Sequence, residues 1–233
     1  MIIFLYKIWF IIWLTLFHIF YIYLEPKVVY LYFDILYLCI FLWKRAWDNH
    51  KFPDFVYKIS WIIPFLIVMY GMVLFEEVIA ALVNNLIEGF DASLFIIRIQ
   101  QFWWFNIFAF SPIILSILVF YYLRFFSKRQ LLIWGAIYWI VWEWIAMTII
   151  TNPILFAVYA PIVIYIYYLI LRPGMYFLPE DQEKNLRTGL GKYIYAIIIW
   201  AILVSFFSSI LGSLREKYPE RFPPCEMIAC DKK

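Results

Sequence analysis

Charged residues are scarce in this chain: they make up 15% of its length, against about 25% in an ordinary soluble domain. A surface with so few charges cannot keep a large globule dissolved in water. Histidine occurs only twice, at His18 and His50, which excludes the H-E-x-x-H zinc motif and leaves no pair of imidazoles placed to hold a haem. Glycine is also rare, with seven residues, and neither G-x-x-x-x-G-K nor G-x-S-x-G occurs, so phosphate-loop and serine-hydrolase chemistry are excluded. Secondary transporters commonly break their helices with paired glycines at a midplane site. Here only Gly71 and Gly135 fall clearly within apolar runs.

Apolar residues are abundant, at 67%, with a mean hydropathy of +0.85. A soluble core cannot hide that much apolar surface, whereas a bilayer requires it. The fold class expected is all-α: a polytopic transmembrane bundle of about seven spans in residues 1–211, followed by a polar tail over 212–233. The runs are Ile2–Leu24, Val28–Trp43, Ile59–Leu86, Phe102–Phe126, Leu131–Ile150, Ile154–Leu171 and Tyr193–Leu211. Asp91-Ala92-Ser93 reads as a helix start leading through a short amphipathic piece into the fourth run, and Arg172-Pro173-Gly174 reads as the stop of the sixth. The seventh run has no Lys for a retinal Schiff base.

Orientation follows from the basic residues. Loops two–three, four–five and six–seven carry eleven Lys and Arg, while the opposite loops carry only Lys27 and Arg98. The positive-inside rule then places the amino terminus inside and the tail outside, in the cell membrane. An external tail meets an oxidising compartment, where Cys225 and Cys230, spaced C-x4-C, can close a small disulfide loop. Two cysteines without further ligands do not make a metal site, and Cys39 reads as an ordinary apolar residue. No cofactor is implied. The net charge of +3 is too small and too dispersed to signal nucleic acid, so the expected partners are the lipid bilayer and other membrane proteins.

The candidate site consists of ionisable and amide residues inside the runs. Such groups cost roughly 2.5–3.5 kcal/mol each on insertion scales, so they need an interior position, a partner or a task. His18 and Asp34 fall at the same depth, about 9 Å below the outer surface, across a tight hairpin. Glu77, Ala80, Ala81, Asn84 and Glu88 recur at helical spacing as one polar, small-residue stripe, with Glu76 on the flank. Adjacent residues diverge by about 100° around a helix, so the two carboxylates are not expected to meet at one atom. Glu143 lies about 18 Å from the inner end of its run, too deep to reach water, and Asn106 shares the outer half with these groups. The Glu76-Glu77 pair does not extend to the intramembrane protease pattern, since Ala81 and Asn106 stand where that pattern needs Arg and His. The reading favoured is a non-catalytic subunit or scaffold. A small proton-linked permease using the buried carboxylates is the alternative, followed by a membrane-embedded enzyme with carboxylate acid–base chemistry.

Overall fold

The computed structural model describes residues 60–142, 149–179 and 186–222. His18, Asp34, Cys39, Glu143, Cys225 and Cys230 lie outside these residues. Five helices are bounded: α1 (Ile62–Glu88), α2 (Ala92–Tyr122), α3 (Lys128–Trp142), α4 (Pro153–Met175) and α5 (Gly191–Lys217). The described residues contain no strand. Three of the helices are long and apolar enough to cross a membrane, namely Ile62–Leu82 within α1, all of α2 and all of α5.

The helices form an up-and-down bundle. α1 packs against α2 and α4, α2 also packs against α5 and α3, and α3 packs against α4. Ring contacts fix which ends coincide: Trp61 meets Tyr121 at 6.0 Å, Phe126 meets Tyr193 at 5.5 Å and Phe125 meets Tyr195 at 6.5 Å. The start of α1, the end of α2 and the starts of α3 and α5 therefore share one end of the bundle. The core between the helices is built from large apolar side chains, including Phe65, Met69, Phe110, Ile113, Ile117, Phe120 and Trp139.

Local chemistry explains where the helices begin and end. Pro64 sits in the first turn of α1, where a backbone N–H has no intrahelical acceptor, so its missing donor costs nothing there. The Asp91 side chain accepts from the amides of Ser93 and Leu94 at 2.9 and 3.1 Å, and so caps α2. From that cap α2 runs unbroken for 31 residues, about 46 Å of rise. The short amphipathic piece before Phe102 forms the first turns of this single helix, while Arg98, expected in a loop, is a buried helix residue. Replacing Asp91 by Ala removes both capping bonds. That change is expected to lower stability by about 1 kcal/mol, measured as a small fall in the thermal midpoint in detergent.

The end of α2 is a Schellman motif with Arg124 in the left-handed position, at φ 58°. Phe125 N–H donates to Phe120 O at 2.9 Å and Arg124 N–H donates to Tyr121 O at 3.0 Å, while the rings of Phe120 and Phe125 supply the apolar contact of the motif. A capping box then starts α3. Ser127 N–H donates to Gln130 Oε1 at 3.0 Å and Gln130 N–H to Ser127 Oγ at 3.3 Å. The reversal thus takes place at residues 123–127, and the fourth run stops at Tyr122 rather than Phe126.

Arg172-Pro173-Gly174 does not stop α4, which continues to Met175. Gly174 serves packing instead: a Cβ at this position would collide with the Met69 side chain of α1 and come within 3.6 Å of Phe65. Gly174→Leu is therefore expected to cost about 1–3 kcal/mol through overpacking of the α1–α4 contact. Gly71→Leu, where a Cβ meets nothing within 4 Å, should leave the thermal midpoint close to that of the parent protein. α5 runs to Lys217, beyond Leu211. The chain after it turns back, and Phe222 packs against Trp104 and Phe108 of α2 at 5.9 and 6.0 Å.

Candidate functional site

Ser111, eleven residues before the end of α2, is about 16 Å of rise from the end of the bundle where α1, α3 and α5 start. Its Oγ is 2.6 Å from the Tyr70 hydroxyl of α1 and 2.5 Å from Ile107 O. Pro112 follows within the same helix and lacks an N–H, so this stretch of α2 has one fewer intrahelical donor. Nearby, the Tyr138 hydroxyl of α3 donates to Ala109 O at 3.0 Å. The hydroxyls of Tyr70 and Tyr138 thus tie α1 and α3 to the middle stretch of α2.

One and a half turns closer to the far end, the contact between α1 and α2 becomes amide on carboxylate. Asn106 Nδ2 donates to Glu77 Oε1. Glu76 and Glu77 are both buried, each with a relative exposure of 8%, and both have further interactions in the fold. Asn106 lies about 24 Å along α2 from its C-terminal end. Burial explains why this carboxylate needs a partner: an unpaired carboxylate in low-dielectric surroundings loses its hydration without compensation. Trp103 closes the same side, its indole N–H donating to Leu74 O at 3.0 Å.

At the far end the α1–α2 connection is clamped by Asn85, which is fully buried. Its Nδ2 donates to Asp91 O at 2.6 Å, and its Oδ1 accepts from Asp91 N–H at 2.9 Å. Arg98, on α2, is also buried and makes contacts within the fold. The antiparallel register that sets Glu77 beside Asn106 also sets Asn85 level with Arg98. Hydroxyl pair, carboxylate–amide pair and amide clamp therefore form one polar seam between α1 and α2, running from the middle of the helices to their connection.

Of the residues singled out in the sequence, the fold brings Glu77 and Asn106 into contact and buries Glu76 beside them. Asn84 lies on the same helix, but its side chain is outside the described set, and His18, Asp34 and Glu143 lie outside the described residues. Tyr70, Ser111, Asn85 and Arg98 were not among the sequence candidates. Their signal was register: Tyr70 is seven residues before Glu77, two helical turns along the same face. Among the described residues no group of three or more His, Cys, Asp or Glu could hold a metal ion. No family model, curated protein or solved structure matches the chain.

Proposed function

We propose that this chain is a multi-pass protein of the cell membrane with about seven crossings, amino terminus inside and tail outside. It acts as a non-catalytic subunit or scaffold whose intramembrane polar groups hold its helices in register. The observation that carries this reading is the Asn106–Glu77 hydrogen bond between α1 and α2, in line with the Tyr70–Ser111 pair. Both are helix-to-helix fastenings. α4, with 23 residues and about 34 Å of rise, supports a crossing count above the three helices named earlier. Orientation draws on Arg124, Lys128, Arg129, Arg187 and Lys192, which gather at one end of the bundle.

A small proton-linked permease is the second reading, and it draws on the adjacency of two buried carboxylates, Glu76 and Glu77. One experiment separates the two. The protein is purified in mild detergent, partner polypeptides are sought at stoichiometric amounts, and the same preparation is reconstituted and followed for pH-driven flux. A subunit retains integral membrane partners in both the parent and Glu77→Gln, with no flux from either. Flux in the parent that vanishes in a well-folded Glu77→Gln variant overturns the subunit reading in favour of the permease.

A further inference from the structure

The end of the bundle where α2 stops and α3 and α5 start concentrates positive charge on an aromatic floor. Phe125 and Phe126 are buried there, and Phe126 lies parallel to the Trp134 ring at 6.0 Å. Over this floor stand two cations, from the α4–α5 connection and the start of α5. The Arg187 guanidinium lies 5.5 Å from the Phe125 ring centre, and the Lys192 ammonium lies 5.4 Å from Phe126 and 5.3 Å from Tyr193. A backbone hydrogen bond from Arg187 N–H to Arg124 O, 2.8 Å long, joins the two connections. The cations therefore come from segments held together by the fold.

Two features make this arrangement unfavourable when it stands alone. Lys128 and Arg129 occupy the first turn of α3, and Lys192 the first turn of α5, where the helix dipole is positive and acidic residues would be preferred. Phe126 and Tyr193 hold these two helix starts together, so like charges and like dipole ends converge. In sequence, residues 123–130 and 172–192 carry seven Lys and Arg against three Asp and Glu, a net of +4. A ligand that offsets such a field is an anion. At the edge of a transmembrane bundle, with exposed apolar Leu190 and Ile194 beside the cations, an anion with an apolar anchor fits best.

We infer that this end of the bundle binds the phosphate headgroup of an anionic phospholipid, with Arg129, Arg187 and Lys192 as its principal contacts and the lipid chains lying along α5. The inference goes beyond the proposed subunit role and stands independently of it. In the test, phosphatidylglycerol is titrated into protein held in neutral detergent, and the thermal midpoint is followed, with phosphatidylcholine and inorganic phosphate as separate arms. The variant is Arg129→Gln, Arg187→Gln, Lys192→Gln, checked for an intact fold by its lipid-free midpoint. Its charge-retaining counterpart is Arg129→Lys, Arg187→Lys, Lys192→Arg, and Lys217→Gln, Arg221→Gln at the opposite end serves as control.

Phosphatidylglycerol is expected to raise the parent midpoint with an apparent affinity at least tenfold above that of phosphatidylcholine, and half-molar salt is expected to weaken it. The glutamine variant should lose that preference, while the charge-retaining and opposite-end variants should keep it. Equal response to the two lipids, an unchanged preference in the glutamine variant, or a shift reproduced by inorganic phosphate alone would each overturn the inference.

Discussion

Replacing Trp139 by alanine is expected to destabilise the protein by about 3–5 kcal/mol, the range for removing a large aromatic side chain from a close-packed interior. For a chain of this length that corresponds to a fall of roughly 10 °C in the thermal midpoint. Trp139 is 1% exposed and stacks on Tyr167 of α4, with centroids 4.1 Å apart and planes within 8°. It also meets Phe110 of α2 at 4.1 Å and its neighbour Tyr138 edge-on at 5.1 Å. One side chain thus joins α2, α3 and α4, and its loss leaves a cavity bounded by three helices. In a bilayer the transfer of apolar surface from water contributes little to helix association, so the loss falls mainly on dispersion contacts. Trp139→Phe is the informative control. The buried indole N–H has no acceptor among the described residues, so the smaller ring sheds an unsatisfied donor while keeping most of the stack. Its midpoint should fall by less than half as much, and Ile137→Ala, at an exposed position on the same helix, should change the midpoint little.

Asn106→Leu is the second large effect, expected to cost about 2–3 kcal/mol, the value of a hydrogen bond to a charged group together with the penalty for weakening the solvation of a buried carboxylate. Glu77 keeps other interactions, so the cost is below that of stranding a charge outright. The distinguishing result lies in the double variant. Glu77→Leu combined with Asn106→Leu replaces both polar partners by apolar groups at a helix contact, and is expected to be more stable than Asn106→Leu alone. Strict additivity of the two changes would show that the pair does not fasten α1 to α2.

The helical character of the described residues and the apolar runs carried by α1, α2 and α5 were legible because apolar stretches of that length call for surroundings in which each backbone amide bonds within its own helix. The Asp91 cap was legible for a similar reason, since its carboxylate acts on amides two and three residues away. Errors came where one residue type serves two purposes. Arg172-Pro173-Gly174 has the composition of a helix stop, yet Gly174 is small because Met69 of a distant helix packs on it. The apolar run drawn to Phe126 hides the reversal at residues 123–127, and Ser127-x-x-Gln130 is the capping box of the next helix. Arg98 was counted among loop charges because nothing local reveals that the fold buries it.

Pairings between helices were beyond reach of periodicity. The stripe through Glu77 could be drawn on one helix, but its meeting with Asn106 depends on the register of α1 against α2, which contacts such as Trp103 on Leu74 O help to set. The aromatic excess, 24% of the chain, likewise had no explanation in the sequence. Much of it forms ring contacts between helices, as in Trp139 on Tyr167 and Tyr138 on Trp200 at 6.0 Å.

Three single cysteines introduced into a cysteine-free background test the central claim most directly. Thr188→Cys marks the basic end of the bundle, and Ser93→Cys and Glu216→Cys mark the other; all three positions are exposed. Treated with a membrane-impermeant maleimide, intact cells should label the cysteines at 93 and 216 and leave that at 188 unreacted until the membrane is opened, because α2 and α5 each cross once between the two ends. Equal labelling of all three in intact cells, or equal protection of all three, would contradict a bundle that spans the bilayer.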